Sequence, residues 1–581
     1  MAEVILPGTY ITVRDEGLIS AGAVAAGNIG IVGTAAKGPV NEVCILGSFS
    51  EAREIFGDAD PWPLTVDPNK PPLTLVRALQ LIYNNGGRTV YAVRTARQSA
   101  PKAAMYNVQG TQPVVTLTAK TPGAAGNDMT ITITDSPPSD PNKKAIQLKS
   151  GDVTEDYVVA NTTELAAQVR AKPSALVTVE GRGNTQQSTA WTNTPAGGAK
   201  FQGGTDEVPK AATYTIRRSS GPVVTLTAKT PGTWGNAIRI TIAKAPESEN
   251  KAIELVCGVV KETYVVEDAQ NLATQVKKKS NLVVAGAPAS NAQSSTWSDT
   301  TDKEGASFTG GTNGEAAIAP DYETSLAKLE GEIVNIIVLA GQDTSMQTSL
   351  DAHLKRTEEI KRERIGIIGS NGAGTLSAIT GVTSELDSPR IIYTAPGLKA
   401  STTDPQTEQV VQVTLPGAYT AAAVAGLISA LPVQTSPTNK TLTIEGLSAD
   451  FSASQLENLV TNRVLAVEKR NGYRIVKGIT TATNSAWHQI TTRRIVDYAL
   501  YGVRSACDPY IGKLNNTRVR GAMKATLDAF LTRMVASEAL VGYKVDVSAT
   551  RAQEIAGQAI VTMTIQPTFS IDYIMVTMYL G

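Results

Sequence analysis

The sequence predicts a multidomain protein of mixed α/β and α+β class. It reads as a discontinuous α/β core, two tandem β-rich modules inserted into that core, and a C-terminal α+β domain with extended terminal arms. Three observations carry this reading. The chain has 581 residues, too many for one hydrophobic core, and should divide into about three to five units of about 100–200 residues. Short apolar runs ending in glycine or small residues alternate with helical segments on either side of a long central stretch. Within that stretch "PVVTLTAKTPGAAGNDMTITI", starting at Pro113, returns as "PVVTLTAKTPGTWGNAIRITI", starting at Pro222.

Taken in order, "EVILPGTYITV" reads as an extended segment bent at Pro7 and Gly8, which makes residues 1–22 an N-terminal linker arm. The runs "NIGIVGT" (28–34), "GRTVYAVRT" (87–95), "EIVNIIVLAG" (332–341), "RIGIIGS" (364–370) and "PRIIYTAPG" (389–397) are short apolar stretches ending in glycine or small residues, as in an α/β layer. Helical segments at 73–84 and 347–362 lie between them, so the strands should be mainly parallel. This pattern stops near Thr95 and resumes near Ile333. The simplest assignment is an α/β domain at 23–110 plus 315–460, with both modules in a single surface loop.

The modules are placed at 111–206 and 220–314. The match continues through "KAIQL" and "KAIEL", "LAAQV" and "LATQV", "FQGGT" and "FTGGT". Val115, Leu117 and Ala119 alternate with polar residues, as do Met129, Ile131 and Ile133, the period of a half-buried antiparallel strand. "TPGAAGN" and "TPGTWGN" read as turns, and Asn161 with Glu164 has the spacing of a helix cap. The C-terminal domain, 461–581, holds a strand "YRIVKGITT", helices at 491–505 and 518–539, and the strands "GYKVDVS" and "GQAIVTMTIQP". A last strand, "FSIDYIMVTMYLG", carries Ile574, Val576, Met578 and Leu580 on one face and Ile571, Tyr573, Met575 and Tyr579 on the other. Asp572 and Thr577 are the exceptions. Such a strand should be covered on both sides, and unpaired it would be an aggregation hazard.

Composition narrows function. Lys plus Arg and Asp plus Glu both number 53, so no global field gathers polyanions and direct nucleic-acid binding is not expected. Cys44, Cys257 and Cys507 lack CxxC spacing, which predicts buried free thiols rather than a disulfide framework or zinc site. No apolar run is long enough to span a bilayer and no signal peptide is legible, which predicts cytoplasmic synthesis without membrane insertion. "GTAAKGP" (33–39) has P-loop glycine spacing with Pro39 at the lysine position, and "GSNGAGT" (369–375) has Thr375 there. His353 shares a helical face with Leu350 and Leu354, and His488 adjoins Trp487, so both read as structural. "KRTEEIKRER" (355–364) reads as a solvated helix face. With no catalytic, metal-binding or cofactor constellation, the chain points to a structural or binding role and not an enzyme.

Segments outside the repeat resemble one family. "LPGTYITVRD" is similar to an opening Pro-Gly-x-Tyr arm, and "GIVGTAAKGPVNEVCILGSFSEAREIFGD" and "LVRALQLIYNNGGRTVYAVRT" to the strand, Gly-Pro turn, helix and Asn-Gly-Gly turn that follow it. "PRIIYTAPG", "AAAVAGLISA", the stretch from "GYRIVKGITTAT" to "WHQITTRRIVDY" with Arg493 and Arg494, and "EALVGYKVDVS" complete the series. These segments resemble, in order, the contractile tail sheath proteins of bacteriophages and related contractile injection systems. The duplicated module and "KASTTDPQTEQVVQVTLPGAY" (399–419) depart from the pattern.

The resemblance implies a sheath subunit that stacks as six-fold rings in a helical array around an inner tube. It implies arms that add strands to sheets of neighbouring subunits, and contraction that drives the tube through a target envelope. Implied partners are further copies of the chain, the inner tube protein, and baseplate and tail terminator proteins, in a virion tail or injection particle assembled in the bacterial cytoplasm. The N-terminal arm residues are then Val4, Ile5, Leu6, Tyr10, Ile11 and Val13, and the C-terminal ones Ile571, Tyr573, Ile574, Val576, Met578 and Leu580. Arg518, Arg520, Lys524 and Arg533 form a candidate basic side facing the tube. The alternative, suggested by the tandem modules, is a surface carbohydrate- or receptor-binding structural protein.

Overall fold

The computed structural model describes residues 26–61, 72–97, 102–110, 113–120, 124–136, 139–151, 153–172, 175–181, 185–204, 208–246, 248–288, 292–299, 305–372, 374–404 and 407–579. The proposed N-terminal arm, with Val4, Ile5, Leu6, Tyr10, Ile11 and Val13, and also Leu580, lies outside the described residues.

The apolar runs assemble side by side. A nine-stranded sheet takes the order Val43–Leu46, Val90–Arg94, Ile29–Gly33, Ile336–Asp343, Ile365–Gly369, Ile391–Ala395, Leu465–Lys469, Tyr473–Ile475, Thr441–Leu442. From Val90–Arg94 to Leu465–Lys469 the neighbours are parallel, and the strands at either edge join antiparallel. Alternate side chains enter two cores. Ile29, Ile31, Ala92, Ile336 and Val338 pack under the helices Leu75–Asn84 and Gly417–Ala430, whereas Val32, Val93, Ile337 and Leu339 pack under Ala319–Lys328 and Gln347–Glu359. Cover on both faces explains why these strands are apolar throughout. The sheet reaches Ile475, beyond the expected boundary at 460, because "LAVEK" and "YRI" are too short for periodicity to place them. The departing segment after Leu398 is a hairpin, Leu398–Thr403 with Val410–Leu415.

Each module is a three-stranded and a four-stranded antiparallel sheet closed on one core. In the first, Val115, Leu117, Ile131 and Ile133 point inward as their alternation predicts. Asn161 caps the helix Thr162–Ala171 by accepting from the Glu164 N–H, and the Glu164 carboxylate accepts from the Ala160 N–H. Both modules start one strand earlier than the conspicuous repeat. Met105–Gln109 pairs with Pro113–Ala119, and Thr213–Arg218 with Gly221–Ala228. The weaker likeness of "AAMYNV" to "AATYTI" marks these strands. The "TPGAAGN" and "TPGTWGN" turns run into short 3-10 helices, Ala124–Asp128 and Thr233–Ala237.

The second module is seated on the core through the loop that resembled a P-loop. Arg94 Nη1 donates to the carbonyls of Gly38 and Pro231, both at 2.7 Å, and the Gly38 N–H donates to Thr230 Oγ1. Lys37 lies 5.2 Å from the Trp234 ring centroid. Gly232, at φ +135°, leaves no room for a side chain, since a Cβ there would fall 1.8 Å from the Ala36 carbonyl oxygen. The other glycine-rich loop is filled as well. A Cβ on Gly369 would lie 2.0 Å from the Gly417 backbone, where the helix Gly417–Ala430 begins.

Three expectations change. In "KRTEEIKRER" the helix ends at Glu359, and Glu363 and Arg364 are buried instead of solvated, because Arg504 pairs with Glu363 and backbone carbonyls surround Arg364. The three cysteines are free but only half-buried. "YRIVKGITT" keeps strand pairing only over Tyr473–Ile475.

Candidate assembly interface

The C-terminal domain is built from helices Ile490–Cys507 and Thr517–Ala536 and the hairpin Leu540–Ser548 with Ile560–Pro567. Leu527, Phe530, Leu531 and Met534 pack with Leu540 and Val545, so the inner face of the hairpin is covered. Gly502 lets the two helices meet: a Cβ there would fall 1.8 Å from the Phe530 ring. Among the described residues the hairpin forms a sheet of two strands only. A two-stranded sheet is marginal by itself, and both its outer edges offer unpaired N–H and C=O groups.

Beyond the hairpin the chain continues without helix or strand, and with no strand partner among the described residues. Ile571, Tyr573, Ile574, Met575, Val576, Met578 and Tyr579 are all exposed, Met575 at 95%. Its root is held. The Ser570 N–H donates to Gln489 Oε1 at 3.0 Å, and Gln489 Nε2 donates to the Ser570 carbonyl and to Asp572 Oδ2. Lys477 Nζ lies 3.6 Å from Asp572 Oδ2 and donates to the Tyr573 hydroxyl at 3.1 Å. Beside this cluster burial, then Lys477 and Arg463, push His488 below the usual imidazole range.

The helix Ile490–Cys507, which begins after Gln489, is tied to the α/β sheet by buried charges. Arg390 makes a two-point contact with Glu358 and also donates to Asp497, which accepts from Arg493 at 2.6 Å. Arg493 stacks 4.4 Å from the Trp487 ring centroid. Arg494 donates to the carbonyls of Ala26, Leu431 and Pro432. Desolvation lowers its pKa to about 10.

The chain matches the phage tail sheath protein central domain over residues 315–481 and the phage tail sheath C-terminal domain over residues 482–581. Residues 315–581 therefore match the phage tail sheath family in both domains. Compared as a whole structure, the chain is similar to the sheath tail protein of Listeria innocua, with TM-score 0.47, 14% identity and coverage of 96% of this chain and 95% of that one. Values for the sheath tail protein of Desulfitobacterium hafniense are 0.43, 13%, 97% and 100%, and for the contracted helical sheath of the anti-feeding prophage 0.45, 13%, 99% and 99%. No curated protein matches it in sequence. The family rests on the two domain matches. The junction between them, at 481 and 482, falls just before Gln489 and the helix that carries Arg493 and Arg494.

The predicted basic side is divided. At about 100° per residue, Arg518 and Arg533 lie about 60° apart on the helix Thr517–Ala536, whereas Arg520 and Lys524 lie on a different face. Arg520 is bound to Asn515 and Glu554, and Lys524 lies 3.8 Å from Asp546. Arg518 and Arg533 are exposed. Sequence reasoning missed Lys477, Gln489, Arg390 and Asp497, whose roles depend on distant partners. Asp572 did leave a signal, as the charge interrupting an apolar strand. No helix among the described residues is long and apolar enough to cross a membrane, and no group of three or more His, Cys, Asp or Glu there could hold a metal ion.

Proposed function

We propose that the chain is a structural, non-enzymatic subunit of a contractile sheath, polymerising as a helical array of hexameric rings around an inner tube and contracting to drive that tube forward. Its partners are further copies of itself, the tube, the baseplate and the terminator, within a virion tail or injection particle assembled in the bacterial cytoplasm. The observation that carries this reading is the pairing of two incomplete features on one domain. A two-stranded hairpin has open edges, and an apolar segment beside it has no strand partner among the described residues. Main-chain pairing between copies completes both, with alternate side chains fixing register. Residues Ile571, Tyr573, Ile574, Val576, Met578 and Leu580 are assigned to this connector, and Val4, Ile5, Leu6, Tyr10, Ile11 and Val13 to its N-terminal counterpart.

Truncation after Thr568 should leave a folded chain that makes no tubes in electron micrographs; tubes from the truncated chain would sink the strand-exchange reading. For the tube-facing surface the exposed pair Arg518 and Arg533 is the better remaining candidate. The double substitution R518E/R533E should abolish co-assembly with tube protein while leaving the circular dichroism spectrum unchanged, and unimpaired co-assembly would exclude this face.

A further inference from the structure

Two points, one near each end of the described chain, are fastened to the start of the same helix. At the C-terminal end, Gln489, the residue before Ile490, takes the Ser570 N–H and gives its amide to the Ser570 carbonyl and Asp572. Lys477 and Thr438 complete the site around Asp572, whose side chain is only 11% exposed although Ile571 and Tyr573 on either side of it are exposed. At the N-terminal end, five residues along the same helix, Arg494 holds the Ala26 carbonyl at 3.2 Å. Ala26 also packs at the margin of the C-terminal core, where it borders a small cavity of about 20 Å³ lined also by Glu363, Val433 and Tyr501. The same stretch carries Arg493, which shares Asp497 with Arg390 at the head of a central strand.

We propose that residues 489–494 form a common post to which the roots of both connectors are tied, so that subunits moving past one another leave these roots on their own body. The inference rests on the reading of the terminal segments as intersubunit connectors. Asp572 and Arg494 are positioning residues in it. A charged Asp572 cannot be carried along an otherwise apolar strand without a counter-charge, and Lys477 with Gln489 supplies the partners that make this point of the chain cheaper to keep bound than to release. Arg494 reaches three carbonyls at once because its planar fork presents several N–H groups, which a lysine would not reproduce.

Hydrogen exchange on the full chain tests this before and after assembly. D572A should speed exchange at 568–573 at least tenfold and leave 26–29 unchanged, while R494K should do the reverse. The charge swap D572K/K477D should restore protection at 568–573. In assembled wild-type tubes both roots should keep the protection of the free chain in the extended and the contracted state. Unchanged exchange at 568–573 in D572A, or loss of wild-type root protection on contraction, would overturn the proposal. A wild-type chain that never polymerises would instead defeat the connector reading, while the exchange rates of the free variants would still report whether the post exists.

Discussion

Arg94, Arg364 and Arg494 are three arginines carried inside the fold largely by backbone carbonyls. Arg94 bridges Gly38 and Pro231, Arg364 reaches Leu329, Glu330, Glu332 and Arg362, and Arg494 reaches Ala26, Leu431 and Pro432. In each case desolvation lowers the guanidinium pKa to about 10, so all three stay charged near neutrality. Arg364 also sets the state of a histidine. Its Nη1 lies 3.2 Å from His353 Nε2, and burial first, then Arg364 and Arg356, push that imidazole down to about 3. The folded chain therefore keeps His353 neutral where the unfolded chain, with an ordinary value of about 6.5, takes a proton. Stability from this site is full above about pH 6.5 and is lost as pH falls toward 3, by up to about 1.4 kcal/mol per pH unit. Melting of wild type and H353Q between pH 7 and 5 should show a smaller acid loss in the variant, and parallel curves would exclude this role for His353.

At the scale of elements, the central strands were legible because two-sided cover demands unbroken apolar runs, and "IGIVG", "IGIIG" and "IIYTA" appear where they were expected. The modules were legible because one sequence occurs twice. What could not be read are contacts between segments far apart in the chain: Asp497 with Arg390, Asp572 with Lys477, and the seating of the second module on residues 36–38. Local pattern carries no trace of a partner a hundred residues away. The two modules also differ where this seating occurs, since Ala125 in the first copy occupies the sequence position of Trp234 in the second. The Lys37–Trp234 contact should contribute about 1 kcal/mol. W234A should accordingly raise exchange at 34–40 and 230–234 about fivefold without unfolding either module. An unchanged rate would mean that the Arg94, Gly38–Thr230 and Gly232 contacts hold the seam without it.

For the whole molecule, the module boundaries decide which deletion tests whether the modules are dispensable. Removing 113–312 would strand Met105–Gln109 without its partner, whereas removing 102–312 takes both modules complete. The larger deletion should still assemble into tubes, with the core somewhat less stable because Arg94 loses the Pro231 carbonyl. Failure to assemble with a folded core would place ring contacts on the modules.

The strands that lead into and out of the modules, Val90–Arg94 and Ile336–Asp343, lie on either side of Ile29–Gly33. Their separation is fixed by the sheet at two strand spacings, about 10 Å, whatever is threaded between them. The first module hands the chain to the second through "VPKAAT", much as the core hands it to the first through "APKAAM". Each unit thus ends in the lead sequence of the next. Copy number is therefore a free variable of this fold: one module, or three, would leave the spacing of these two strands unchanged.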